Sequence, residues 1–226
     1  MKIPMPPPLN DVIPHVSEKA LTSFYGGPGT GKTCLALLAA IECVRNKGKV
    51  VYVDTEGGFS VERIRQLLDN RMATDSFLKS VDLIQPKTFE EQGKAIDSLA
   101  DRDFDLLIVD SLVALYRLEY SNQDEILAAS RKLSKQLSSL AAIAREKNVP
   151  VVLTAHTYRN WDTGENEMVG GETLKYWSKA IVFLEKTGRM SERKATLAKH
   201  QHHPEGREAK FMLVEKGIAP VKFKLF

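Results

Sequence analysis

Eight residues, Gly26-Gly27-Pro28-Gly29-Thr30-Gly31-Lys32-Thr33, constrain what this chain can fold into more than any other segment. Glycine at four of the first six positions lets the backbone curl until successive N–H groups point inward. The fixed positions satisfy G-x-x-x-x-G-K-[ST], and the flanks supply the context that this pattern requires. Ahead lies the strand-like run Leu21-Thr22-Ser23-Phe24-Tyr25, and behind it an Ala- and Leu-rich helical stretch over residues 34–45. A strand entering a glycine loop that opens a helix presents N–H groups and a helix N-terminus to anionic oxygens. The whole run 26–33 is therefore read as a triphosphate cradle. Lys32 reaches the β- and γ-phosphates, and the Thr33 hydroxyl ligates Mg²⁺. The competing reading, a glycine-rich turn with a chance lysine, leaves both flanks unexplained.

Downstream, apolar strand-like runs alternate with helical patterns, the order that builds a mostly parallel sheet flanked by helices. Strands are expected over residues 50–53, 81–85, 106–110 and 149–154, and helices over 61–68, 89–99 and 124–147. In the last helix Leu133, Leu137, Leu140 and Ala144 recur at helical spacing and read as a core-facing stripe. Residues 158–171, with Asn160, Asp162, Gly164, Glu165, Asn166, Gly170 and Gly171, have little to bury and are expected to form a mobile loop. Three short strands over 179–184, 194–200 and 209–215 follow, joined by tight turns and expected to be antiparallel. The fold class is α/β, with residues 15–226 as one core domain. Residues 1–14 carry Pro4, Pro6, Pro7 and Pro8 and form a proline-rich, non-helical arm. The arm reads as a loosely packed leader, with a partner-docking strap as the alternative.

Bulk charge excludes little. Lys and Arg number 32 against 29 Asp and Glu, so any nucleic-acid contact must come from local clusters. One such cluster is Lys186, Arg189, Arg193, Lys194, Lys199, Arg207 and Lys210, set against Glu192, Glu205 and Glu208. A solvated hairpin face accounts for it equally well. Cys34 and Cys43 sit nine apart on one expected helix, a rise of about 13 Å that no disulfide spans. Free, mostly buried thiols of a reducing cytoplasm are expected. There is no apolar run of about 18 residues, and the N-terminus lacks the apolar segment of a signal peptide. No membrane association is expected.

Three side chains fall at the carboxyl rim of the expected strands, where open α/β sheets bind ligands. Asp110 closes the apolar run 106–109 and can hold Mg²⁺ through water, although acids at strand ends also serve turns. Glu56 follows the strand ending at Val53 and can orient and polarise an attacking water. Alternatively it belongs to a helix start capped by Asp54 and Thr55. His156, two residues past Thr154, opens onto the polar segment and can donate to a γ-phosphate, although a lone histidine is more often structural. His200, His202 and His203 lie in a turn without paired cysteines or a fourth ligand, which argues against zinc.

These motifs together resemble the RecA/RadA recombinase core, and within it the archaeal RadB group of short RadA paralogues. The resemblance spans roughly residues 15–218 and rests on Tyr52-Val53-Asp54-Thr55-Glu56-Gly57-Gly58-Phe59 and Glu62-Arg63-Ile64. It continues through Leu106-Leu107-Ile108-Val109-Asp110-Ser111-Leu112, Arg117-x-Glu119-Tyr120 and Gly170-Gly171. Pro204-Glu205-Gly206 and Glu215-Lys216-Gly217-Ile218 complete it. It implies a RecA-like P-loop ATPase core that takes ATP and Mg²⁺, with Glu56 as the catalytic glutamate and a DNA-binding loop after His156. It further implies an accessory or mediator protein of homologous recombination and DNA repair, with weak ATPase and no strand exchange of its own. The implied partners are DNA, single-stranded and by extension branched, the RadA recombinase and a Holliday-junction resolvase.

Three departures bear on that implication. RadA-type recombinases carry an N-terminal DNA-binding domain and a polymerisation motif, whereas 20 residues precede Leu21 here. Filament formation through that motif is not expected. His156 stands where the family has a glutamine that couples ATP to the DNA loop. The first DNA loop reads Ser121-Asn122-Gln123-Asp124, without the family's glycine and arginine, and Asp124 weakens phosphate contact there. ATP is thus expected to act as a conformational ligand more than as fuel. A DNA-dependent ATPase recombinase, or a RecA-fold signalling or clock-type ATPase that never touches DNA, are the alternatives.

Overall fold

A computed structural model of the chain describes residues 1–120, 122–160, 164 and 166–221. The strands, in chain order, are β1 (Ile3–Pro4), β2 (His15–Val16), β3 (Leu21–Gly26), β4 (Val50–Asp54), β5 (Val81–Ile84) and β6 (Leu106–Asp110). They continue as β7 (Val151–Arg159), β8 (Asn166–Met168), β9 (Ala180–Lys186), β10 (Glu192–His200), β11 (Glu208–Val214) and β12 (Gly217–Pro220). The helices are α1 (Lys32–Arg45), α2 (Val61–Leu68), α3 (Arg71–Lys79), α4 (Phe89–Asp97), α5 (Gln123–Glu146) and α6 (Gly171–Trp177).

The main sheet runs β12-β11-β10-β9-β3-β7-β6-β4-β5, with β8 paired to β7. From β9 through β5 neighbouring strands are parallel, and from β9 to β12 they are antiparallel. β9 therefore serves both regimes, antiparallel to β10 and parallel to β3. Continuous apolar runs make the central strands because both faces are covered: every residue of β4 and β6 is buried. α1 packs on one face in a cluster with Phe24, Tyr52 and Ile108. α4 and α5 pack on the other, where Leu133, Leu137, Leu140 and Ala144 are fully buried as their spacing predicts. Cys34 and Cys43 are buried, free thiols on α1.

Two expectations are corrected here. The N-terminal arm is not loosely packed: Ile3, Met5, Leu9, Val12, Ile13 and Val16 are buried in the α1-side core. The arm is not free of helix either: Leu9–Asp11 form one turn of 3-10 helix after the prolines, and the apolar residues dock against α1 and β11 as the chain turns back and β1 pairs with β2. Nor is the polar segment 158–171 one loop. β7 runs on to Arg159 and pairs antiparallel with β8, Tyr158 opposite Glu167, while Met168 and Val169 are buried and Gly170 caps α6. Asp162 and Glu165 of that segment, like Ser121, lie outside the described residues. Among the described residues no helix is long and apolar enough to cross a membrane.

Candidate functional site

β3 and α1 meet at residues 26–33, on the carboxyl rim of the sheet. Gly26 pairs with Leu184 of β9, and a Cβ placed on Gly26 would stand 2.1 Å from the Leu184 carbonyl oxygen. Gly31 caps α1 at φ +102°, a left-handed conformation that side chains disfavour. Inside the loop, Thr30 Oγ1 donates to the Gly27 carbonyl at 2.9 Å. Lys32 is buried, and its ammonium donates to the carbonyls of Gly26 at 2.9 Å and Gly27 at 3.0 Å. Burial pushes the Lys32 pKa down, while Glu56 and Asp110 nearby hold it up. From β10, Arg193 Nε donates to the Gly29 carbonyl at 2.8 Å, and Lys186 lies beside the same glycine.

That contact divides the basic cluster. Lys194 is paired with Glu185 at 2.9 Å and Glu208 at 3.2 Å, Arg189 with Glu192 at 3.7 Å, and Lys199 donates to the Lys175 carbonyl at 2.6 Å. Arg193 and Lys186 therefore belong to the loop, and three of the others are engaged locally. His200 Nδ1 accepts the N–H groups of His202 and His203 at 3.0 and 3.2 Å, a turn that uses imidazole as a local cap. Among the described residues no group of His, Cys, Asp and Glu could hold a metal ion on its own.

Asp110 ends β6 with 2% exposure. Its Oδ1 accepts from Thr154 Oγ1 at 2.5 Å and its Oδ2 from the Tyr52 hydroxyl at 2.8 Å, with the Thr33 side chain beside it at Gly58. Burial pushes the Asp110 carboxyl up, and the hydroxyls of Thr154, Tyr52 and Thr33 pull it back. Burial and the neighbouring Asp110 push the Tyr52 phenol well above its usual range. The raised phenol keeps its proton on Tyr52, whereas at Asp110 burial, which disfavours the charge, outweighs the three hydroxyls that favour it. A hydroxyl and a carboxylate brought together are oxygen donors of the kind Mg²⁺ takes. Gly58 leaves this corner open: a Cβ there would lie 3.3 Å from Thr33 Cγ2 and 3.8 Å from Asp110 Oδ2.

Glu56 stands on a turn whose backbone is pinned on both sides. Buried Asp54 accepts N–H groups of Glu56 at 3.3 Å, Gly58 at 3.0 Å and Phe59 at 3.1 Å. Thr55 Oγ1 donates to the Ser111 carbonyl at 2.7 Å and accepts the Ser111 N–H at 3.0 Å. Neither side chain caps the helix that follows, because Ser60 caps α2 by accepting the Arg63 N–H at 3.3 Å. The helix-start reading of Glu56 thus gives way to a loop acid. Its Oε1 lies 2.5 Å from His156 Nε2. That hydrogen bond holds the Glu56 carboxyl below its usual range despite partial burial, with help from Lys32 and Arg117.

The structure thus gathers Lys32, Thr33, Glu56, Asp110 and His156 on one rim. Sequence reasoning missed Tyr52, Thr154 and Asp54, the side chains that position them. Thr154 carried a usable signal, being a polar residue inside an otherwise apolar strand run. At the first candidate DNA loop, Asn122 caps α5 by accepting the Glu125 N–H at 3.0 Å.

Comparison with known proteins agrees with this architecture. The Rad51 family model matches residues 13–221. The DNA repair and recombination protein RadB of Methanococcus maripaludis strain C5 is 39% identical over 206 residues, covering 90% of this chain and 93% of that protein. Its namesake from Methanosphaera stadtmanae is 38% identical over 210 residues, with 90% and 88% covered. A solved structure described as the RadB recombinase superposes with a TM-score of 0.81 at 36% identity, covering 95% of this chain and 96% of that one.

Proposed function

The chain belongs to the Rad51 family of recombination proteins, in its RadB group, and on that premise we propose a nucleotide-switched accessory role in homologous recombination and DNA repair. In this reading residues 26–33 wrap the phosphates of ATP. Lys32 turns from the Gly26 and Gly27 carbonyls to the β- and γ-phosphates, and Thr33 with Asp110 holds Mg²⁺. Mg²⁺ neutralises charge on the phosphate oxygens when bound. Glu56 orients and deprotonates the attacking water, and His156 Nε2–H can donate to the γ-phosphate. Hydrolysis is slow, and ATP acts chiefly as a conformational ligand for the hairpin of β7 and β8.

The observation that carries the reading is the convergence of Thr33 on Asp110 beside the buried Lys32, with the turn of Glu56 tied to Ser111 next door. DNA binding is supported by the surface beyond His156. A cleft of about 500 Å³ there is lined by Tyr116, Arg117, Tyr120 and Tyr158. Aromatic faces and a guanidinium are what single-stranded bases stack on. The protein would work in the cytoplasm, assisting or regulating the RadA recombinase and engaging a Holliday-junction resolvase.

Binding of a fluorescent ATP analogue with Mg²⁺ tests the nucleotide half, and Lys32→Ala is expected to weaken it by about tenfold or more, the loss of one charge-assisted contact. A gel shift with single-stranded DNA across salt concentrations tests the other half, because contacts through Lys and Arg weaken steeply with salt. Absence of a shift at low salt with ATP and Mg²⁺ present removes the recombination role and leaves a signalling ATPase. Strand exchange by the purified chain, with turnover strongly stimulated by DNA, makes it a recombinase in its own right.

A further inference from the structure

We infer that His156 is a positioning residue that restrains Glu56, a built-in brake on ATP hydrolysis. The inference rests on the reading of Glu56 as the hydrolytic base. His156 Nε2 lies 2.5 Å from Glu56 Oε1, and the two side chains are 19% and 36% exposed, so water screens the contact only in part. A carboxylate can only accept, so the imidazole donates, and a hydrogen bond to a charged acceptor is stronger than one between neutral groups.

The two residues come from strands that are not neighbours. His156 belongs to β7 and Glu56 follows β4, with β6 lying between them in the sheet. The contact therefore bridges the end of β6, directly above Asp110. Glu56 cannot drift away as a unit, because Asp54 and Thr55 pin its backbone to the turn and to Ser111. His156 is held through its backbone as well: it pairs with Gly26 of β3, its carbonyl accepts the Val169 N–H at 2.9 Å, and β7 runs on into its pairing with β8, which leaves the imidazole as the part free to turn.

In the hydrolytic step the water oxygen bonds to the γ-phosphorus while the bond to the ADP oxygen breaks, and Glu56 takes the water proton. An oxygen that already accepts a short bond from His156 is less basic and has one lone pair fewer to offer. Lys32 and Arg117 face the same carboxylate and press in the same direction. The imidazole has one Nε2–H, and in the proposed reading a bound γ-phosphate would compete with Glu56 for it. Rotation of the His156 side chain, or transfer of that donor to phosphate, frees the base.

Steady-state ATP turnover by the full chain, with His156→Ala and His156→Gln beside wild type, tests this. His156→Ala is expected to raise kcat by about 3- to 10-fold, a fraction of what a general base contributes, with the change in kcat and not in KM. His156→Gln retains an amide that can donate to Oε1 and should recover less than half of that gain. Glu56→Gln combined with His156→Ala should erase it. A His156→Ala chain that turns over no faster than wild type while still binding a fluorescent ATP analogue overturns the brake alone. A gain that survives Glu56→Gln overturns it equally. Failure of wild type to bind the analogue overturns the ATPase reading, and the brake with it.

Discussion

A methyl group added to Gly26 would have to push aside the Leu184 carbonyl oxygen, 2.1 Å away and part of β9. Backbone in mid-sheet cannot give way as a side-chain tip can. Gly26→Ala is therefore expected to cost about 1–3 kcal/mol, the usual range for overpacking. Urea denaturation measures the loss, and weaker binding of a fluorescent ATP analogue should accompany it. Individual residues were legible from sequence where a backbone or a strand end demanded them: Lys32, Thr33, Asp110 and Glu56 all stand on the rim. What spacing along the chain could not record is who touches whom. Glu56 and His156 are 100 residues apart, and they meet because the sheet order sets β4 and β7 on either side of β6 and both chains run on past its end. Nothing in the spacing marks Tyr52, whose hydroxyl donates to Asp110.

At the scale of elements, α4 and α5 are locked together by two buried amides. Gln92 Nε2 donates to the Leu112 carbonyl at 3.1 Å and to Gln136 Oε1 at 2.8 Å, and Gln136 Nε2 donates to the Phe89 carbonyl at 3.0 Å. Leu112 lies in the turn just after Asp110, so the helical layer holds the exit of β6 in place. Gln92→Leu removes the donor and leaves the Leu112 carbonyl and Gln136 Oε1 buried without it. A loss of about 1–3 kcal/mol is expected, the range for an orphaned buried polar group, read from the urea midpoint. Elements with a strong apolar period, such as α5 and β6, were visible in advance. α3 was not, because only Thr74 and Phe77 of its nine residues are buried. β8 was hidden for another reason: it is three residues long, and Asn166 and Glu167 read as loop, although Glu167 accepts from the Tyr158 hydroxyl and the Asn160 amide, both at 2.6 Å.

Across the whole molecule, the arm at the start of the chain is part of the core that supports the P-loop helix. Leu9 is fully buried there, in a short turn that packs on β11. Leu9→Ala is expected to cost about 2–5 kcal/mol, as for other large-to-small core changes. A lowered denaturation midpoint is the measure, and an unchanged one would return the arm to the status of a leader. The sheet order carries a consequence for the life of the chain before it is finished. β3, which delivers the glycine loop, hydrogen-bonds on one side to residues 151–156 and on the other to residues 180–184. A ribosome making the protein releases the loop early and the strands that flank it late. While the more than 150 residues between Gly26 and Leu184 are being added, then, the nascent chain carries the glycine loop's sequence without its shape. Until then nucleotide can neither be held by it nor help it fold, and competence for ATP arrives almost at once, when residues 180–184 take their place beside β3.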